Sequence, residues 1–231
     1  MATLTIIVPV YNETSTILEI LKNISKVNIE KQIIVVDDYS SDGSREKILS
    51  TKHMIDKIIL HEKNLGKGAA IKSAQKFIKG QYVIIQDADL EYDPNDYEKL
   101  IEPLKKKQTK VVYGSRVLEK KRYSSKNFSS LSRVFFNHCL TILSNIINNQ
   151  NLTDAHTCYK VFDSELFKSI KLEENGFAFC PEITTKTSLL NCKIIEISIN
   201  YIGRTYKDGK KIKFVDGIQA IVALLKYRYL K

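Results

Sequence analysis

Cysteine is scarce and scattered in this chain of 231 residues: Cys139, Cys158, Cys180 and Cys192 form no Cys-x-x-Cys pair. That spacing excludes a zinc ribbon and gives no disulfide framework, so a reducing, cytoplasmic setting is expected. No apolar run approaches the ~18 residues of a membrane span. No positively charged leader precedes the strand-like opening Leu4-Thr5-Ile6-Ile7-Val8-Pro9-Val10, so no signal peptide is expected. Internal repeats and low-complexity linkers are missing too. Acid is in deficit, since 36 Lys and Arg against 26 Asp and Glu leave a formal charge of +10. Such a balance suits phosphate-bearing ligands, nucleic acid or an anionic membrane surface without choosing among them. Aromatic-rich RNA-binding motifs, zinc-finger spacing and a basic recognition helix are all lacking, so nucleic acid is not an expected partner.

What is present is a core-forming composition, 43% apolar, in a length that suits one domain spanning 1–231. Over the first half, strand-like runs near 4–10, 32–37, 57–61, 81–86 and 110–114 alternate with helical patterns near 14–26, 42–50, 67–79 and 95–107. That alternation predicts an α/β fold with a parallel-rich sheet and helices on both faces. Ser41 or Asp42 is placed to cap the second helix, and Pro94 sits at the first turn of the fourth.

In open α/β sheets ligands bind at the carboxyl ends of the strands. Polar clusters fall at four such ends: Pro9-Val10-Tyr11-Asn12-Glu13, Asp37-Asp38-Tyr39-Ser40, Asp87-Ala88-Asp89 and Gly114-Ser115-Arg116. One cluster means little, but four on one rim describe a site. The most informative is Gln86-Asp87-Ala88-Asp89-Leu90-Glu91, which follows the apolar run Tyr82-Val83-Ile84-Ile85. Carboxylates two residues apart point to one side, and hard cations such as Mg²⁺ take one or two of them alongside substrate phosphates. An isolated Asp-x-Asp is more often an acidic turn returning to water; the other three clusters tip the balance. Gly66-Lys67-Gly68 lacks the third glycine of a dinucleotide fingerprint, with Ile71 in its place, and is weak on its own.

The second half carries two amphipathic helices. From Phe128 to Ile147 a stripe of Phe128, Leu131, Phe135, Cys139, Ile142 and Ile146 is widened by Phe136, Leu140, Leu143 and Ile147. From Phe214 to Leu230 the stripe is Phe214, Ile218, Val222, Leu225 and Tyr229, with Lys210, Lys211 and Lys213 before it and Lys226, Arg228 and Lys231 at its end. Packing on the sheet is the plainer expectation; a membrane-surface platform is the sharper one.

In order and spacing, Val8–Glu13, Val35–Ser44, Asn64–Ala70 and Asp87–Glu91 together resemble the family 2 glycosyltransferases, most of all the branch that includes dolichol-phosphate mannose synthase-like and polyprenyl-phosphate glucosyltransferase-like enzymes. The resemblance continues through Gly114-Ser115-Arg116, Thr153–Phe162, Phe179–Ile183 and Gly203–Ile212, and so covers nearly the whole chain. It implies a nucleotide-diphospho-sugar transferase (GT-A) fold with a central, mostly parallel mixed sheet flanked by helices. Residues 1–118 would be the nucleotide-sugar-binding half, and 119–231 the acceptor-binding half ending in the amphipathic helix.

By the same resemblance Pro9, Tyr11 and Glu13 line the nucleoside pocket. Asp38, with Asp37 beside it, accepts from a base N–H, which favours uracil or guanine. Asp87 and Asp89 hold the nucleotide and a Mg²⁺ or Mn²⁺ on the diphosphate, with Glu91 as a further ligand. Lys67 adds charge near the donor at a helix start. Arg116 and Arg204 face the phosphates, and Arg133 and Asn137 hold an acceptor phosphate. Asp154 positions a neighbour or acts as base, Glu182 is mainly structural, and His156 is more often a satisfied histidine than a metal or phosphate contact. The implied activity is inverting transfer of a hexose from a UDP- or GDP-sugar to a polyprenyl (dolichyl or undecaprenyl) phosphate; the alternative is transfer to a saccharide hydroxyl in a cell-surface glycan. Relatives often carry C-terminal transmembrane helices. No such run occurs here, so peripheral attachment to the cytosolic face of a membrane through the amphipathic helices, or a separate membrane-protein partner, is expected.

Overall fold

A computed structural model describes residues 2–119, 128–204 and 214–230, without the side chains of residues 128–130, 132, 133 and 214. The elements run β1 (Leu4–Val10), α1 (Ile17–Lys26), β2 (Lys31–Asp37), α2 (Ser44–Ser50), β3 (Lys57–Leu60), α3 (Lys67–Gln75), β4 (Tyr82–Ile85), α4 (Tyr97–Lys105) and β5 (Val111–Ser115). They continue with α5 (Phe128–Asn148), β6 (Lys160–Asp163), α6 (Ser164–Ser169), α7 (Phe179–Leu189), β7 (Ile194–Ser198) and α8 (Phe214–Tyr229). Short 3₁₀ turns at Lys52–Met54 and Pro94–Asp96 link neighbours.

Seven strands form one sheet in the order β3-β2-β1-β4-β6-β5-β7. β1 pairs parallel with β2 and β4, β2 with β3, and β5 with β7. β6 is antiparallel to both its neighbours. β4 and β5 therefore run the same way, and the carboxyl ends of β1, β2, β4 and β5 share one rim. The expected mostly parallel mixed sheet is what forms. The chain order reverses between β1 and β4, which is where an open α/β sheet opens its ligand crevice. Buried β-branched runs (Ile6-Ile7-Val8, Ile34-Val35-Val36, Val83-Ile84-Ile85) explain why the central strands are sheet.

The first half follows the expected elements closely, with local corrections. α1 starts at Ile17 rather than residue 14, because the Glu13 carbonyl accepts from Thr16 and Ile17 N–H and opens the helix there. Neither Ser41 nor Asp42 is the N-cap of α2; Gly43, at φ 93°, holds that position. Asp42 still accepts from Ser44 N–H (3.0 Å) and ties in Thr14 N–H (2.9 Å). Pro94 lies in the 3₁₀ turn before α4, where Asp93 accepts from Asn95 N–H.

The second half supplies β6 and β7, which periodicity alone did not predict. The amphipathic helices do not simply bury their stripes on the sheet. α8 packs on α7 and α5 through Ala220, Ala223, Leu224 and Tyr227. The predicted stripe residues Ile218, Val222, Leu225 and Tyr229 face outward, as do Phe135, Cys139, Ile142 and Ile146 of α5. Among the described residues no helix is long and apolar enough to cross a membrane.

Candidate active site

The rim gathers residues from six segments. After β1, Tyr11 stays exposed while Glu13 is buried. After β4, Asp87 and Asp89 occupy a turn that ends on Leu90, at φ 63°. Arg204, beyond β7, bridges these two strand ends: its Nη2 lies 2.8 Å from Glu13 Oε2 and 3.2 Å from Asp89 Oδ2. Its backbone N–H donates to Glu91 Oε1 (2.5 Å), and Tyr201 Oη donates to Glu91 Oε2 (3.0 Å). Asp87 accepts from Lys67 Nζ, at the first turn of α3, and Lys67 also reaches Cys158 Sγ (3.4 Å). Burial alone would lower the Lys67 pKa; the Asp87 carboxylate outweighs it and holds the ammonium well above its ordinary value.

Asp87 and Asp89 thus fit a divalent cation in donor chemistry. Both are carboxylates with side chains 20% exposed, and both already attract positive charge. Glu91 accepts from Tyr201 Oη and from the Arg204 backbone, which tie it to the 201–204 segment. No group of three or more His, Cys, Asp or Glu side chains gathers as a cage among the described residues, so substrate phosphates would have to complete the ion's shell.

Arg116, just past β5, is held by Asp154 in a two-pronged pair, Nε–Oδ2 2.6 Å and Nη2–Oδ1 2.8 Å, while its own N–H also donates to Oδ2. Its guanidinium stacks 5.2 Å from the centre of the Tyr201 ring. Burial pushes Asp154 up, but the guanidinium more than offsets this and leaves the carboxyl below its ordinary range. Behind the pair, Glu196 of β7 accepts from Thr153 N–H (2.6 Å) and Asp154 N–H (2.8 Å). The wholly buried Lys160 donates to Ala155 carbonyl (2.9 Å) from 3.8 Å above the Tyr113 ring. Both Asp154 oxygens accept from Arg116, so the carboxylate fixes the direction of the guanidinium.

Asp38 is 3% exposed and takes its hydrogen bonds from the protein: Leu65 N–H (2.8 Å), Gly66 N–H (2.7 Å) and His61 Nδ1 (2.7 Å). An ionised carboxylate only accepts, so His61 Nδ1 carries the donated proton. Asp38 thereby pins the loop before α3. Asp37, fully buried, pairs with Arg45 Nε (2.6 Å). The glycines flanking Lys67 are needed for the protein's own backbone. A Cβ on Gly66 would meet Asn175 carbonyl oxygen at 2.5 Å, and one on Gly68 would overlap Glu174 carbonyl oxygen.

His156 presents a buried Nε2 without a hydrogen-bond partner and bonds the Leu140 backbone; burial and then Lys160 depress its pKa to about 4. Glu182, fully buried, accepts from Glu173 and Glu174 N–H and pairs with Lys186 (2.7 Å), a structural place. Pro9 is the penultimate residue of β1, partly buried near the rim. Asn137 lies on α5, its carbonyl accepting from Thr141 Oγ1 (2.8 Å). The side chain of Arg133 and residues 205–213 lie outside the described residues.

Residues 5–171 match the family model described as glycosyl transferase family 2. The chain belongs to that family. Among curated relatives of this family 2 chain, a dolichyl-phosphate beta-glucosyltransferase of Trichomonas vaginalis is 29% identical over 242 residues, covering 96% of this chain and 72% of that protein. Glycosyltransferase AglJ of Haloferax volcanii is 24% identical, over 86% of this chain and 63% of its own. Among solved structures, glucosyl-3-phosphoglycerate synthase from Mycobacterium tuberculosis, in complex with Mg²⁺ and uridine diphosphate, superposes with a TM-score of 0.74 at 18% identity, over 98% of this chain and 79% of that one. The likeness establishes that the family 2 chain has the GT-A fold.

Tyr201 and Glu196 escaped the motif reading, and so did the backbone conformation of Tyr39. Tyr39 sits half-exposed in the left-handed region (φ 66°), its ring 5.7 Å from the Arg45 guanidinium. Tyr201 props Arg116, and Glu196 fixes the loop behind it. A bulky residue at positive φ leaves no mark in a single sequence. Glu196, however, interrupts an apolar run, and that irregularity was readable.

Proposed function

We propose that this family 2 transferase moves a hexose, with inversion, from a UDP- or GDP-sugar to a polyprenyl phosphate. The observation that carries the reading is the rim itself: Asp87 and Asp89 face Lys67 and Arg204, with Arg116 aimed by Asp154 alongside. Residues 1–118 would hold the nucleotide sugar and 119–231 the acceptor. The exposed Tyr11 and Tyr39 rings, joined through Asn12 N–H to Ser40 Oγ (3.0 Å) and Ser41 N–H to Asn12 Oδ1 (2.9 Å), offer apolar faces to a base.

Departure of a nucleoside diphosphate develops charge that fixed cations must meet. Arg116 and Arg204 offer planar forks suited to phosphate oxygens, and Lys67 a point charge. A Mg²⁺ or Mn²⁺ on Asp87 and Asp89, when bound, supplies further neutralisation of the leaving diphosphate. The acceptor attacks from the opposite face of the sugar. A phosphate acceptor suits this site because its second pKa lies near ~6 and it needs no base, while Asp154 and Glu13 are paired with arginines. The relative named a dolichyl-phosphate beta-glucosyltransferase supports both the lipid phosphate and glucose. Asn137, with Arg133, would hold that phosphate. The outward apolar faces of α5 and α8 would rest on the cytosolic surface of a membrane, with Lys226 and Arg228 near anionic headgroups.

The test is transfer of labelled hexose from a panel of UDP- and GDP-sugars to polyprenyl phosphate. Asp89→Ala is expected to lower transfer at least ~100-fold. Full activity in chelator, or transfer only to sugar hydroxyls, would overturn the reading.

A further inference from the structure

We propose that Glu174 is a positioning residue that ties the C-terminal helix to the first turn of α3, and thereby sets the Lys67–Asp87 end of the site. The side chain and the main chain of this residue face two different elements. On one side, Glu174 Oε1 accepts from both Lys226 Nζ (2.7 Å) and Tyr227 Oη (2.7 Å) of α8. On the other, its carbonyl oxygen rests on Gly68, where a Cβ would not fit, and the next carbonyl, of Asn175, accepts from Ala69 N–H (3.0 Å). Gly66 and Gly68 bracket Lys67, so the 174–175 backbone fixes the turn from which the Lys67 ammonium reaches Asp87.

The linking segment has little freedom to absorb a displacement. Glu182, with no exposure, accepts from Glu174 N–H at 2.9 Å. Tyr227 is 1% exposed. Burial alone would raise the Glu174 carboxyl, but its bonds to Lys226 and Tyr227 hold it below the ordinary range. A rigid strut with a polar joint at one end and close backbone packing at the other transmits a shift of α8 to the start of α3, because packed cores do not deform continuously.

The inference rests on the reading that the Lys67–Asp87 rim takes a nucleoside diphosphate, and the experiment separates the two. In the full chain, Tyr227→Phe keeps the ring and removes only the hydroxyl, and Glu174→Gln removes the charge. Amide hydrogen exchange over residues 66–72 and uridine and guanosine diphosphate affinity with Mn²⁺ are measured for both variants and the double variant. Each single variant is expected to speed exchange at 66–72 about tenfold. Each is also expected to weaken the nucleotide the wild type binds about fivefold, with the double variant no worse than the poorer single one. Wild-type exchange at 66–72 in both variants would overturn the proposal, even if both melt at lower temperature, since that is a structural loss alone. If the wild type binds neither nucleotide, the donor reading falls, while the exchange measurement still decides whether Glu174 sets the α3 turn.

Discussion

Arg116 and Asp154 hold each other through two side-chain bonds, 2.6 and 2.8 Å long, and a third from the Arg116 backbone. Asp154 is nearly inaccessible, whereas the Arg116 side chain keeps 18% exposure. The geometry fixes a cation at the mouth of the rim and spends a carboxylate to do so. Arg116→Lys keeps the charge but loses the fork, so it should cut kcat about 100-fold, as loss of one transition-state donor does. Asp154→Asn should cost about 3 kcal/mol in stability, because it leaves a buried guanidinium without its counter-charge. Steady-state kinetics and urea unfolding check the two in turn.

His156 makes a prediction about pH. Its pKa, near 4 in the folded chain, lies below the ordinary 6.5, with desolvation as the largest cause. The unfolded chain therefore binds a proton between those values that the folded chain does not. Stability from this group is full above pH 6.5 and is lost as the pH falls toward 4, by about 3 kcal/mol in total. His156→Gln should flatten that part of the profile, as read from melting temperatures between pH 7 and pH 4. A wild-type slope retained in the variant would place the proton elsewhere.

Tyr39 tests strain against use. A tyrosine at φ 66° pays for a left-handed backbone that glycine adopts freely. Tyr39→Gly should leave the fold as stable or raise it by about 1 kcal/mol. The same change should weaken nucleoside diphosphate binding at least ~10-fold, through loss of an aromatic face. Thermal unfolding should hold or rise while calorimetric titration shows weaker binding; a parallel loss would make Tyr39 a structural residue.

How much of this was legible follows from which interactions are local. β1 was readable because Leu4–Val10 is buried at every position but Pro9. The site clusters were readable because strand ends on one rim must carry polar residues. β6 was not: Lys160-Val161-Phe162-Asp163 is four residues long, begins with a buried lysine, and ends on the cap of α6. β7 carries Glu196 at its centre, whose partners Thr153 and Asp154 lie more than forty residues back. The protein partners of several site residues were hidden for the same reason. Asp38 meets Leu65 and Gly66, and Gly66 and Gly68 meet 174–175, pairings that only the folded chain brings together. Motif order identified the residues; it could not say that several of them hold one another.

The outward stripe of α8 gives the last prediction. Ile218 and Val222, 50% and 57% exposed and one turn apart, face away from α7, whereas Leu224 and Tyr227 are buried. An exposed apolar stripe has little cost to lose in water, so Ile218→Glu with Val222→Glu should change stability by no more than about 0.5 kcal/mol. On vesicles containing anionic lipid at low salt, the wild type should sediment with the lipid and the double variant should remain in solution. The charges of Lys226 and Arg228 act through the aqueous layer and are screened over ~10 Å at 0.1 M salt, so raising the salt should weaken wild-type binding without abolishing the apolar part. Equal sedimentation of both proteins would remove α8 from the membrane contact and leave the acceptor to reach the site by another face.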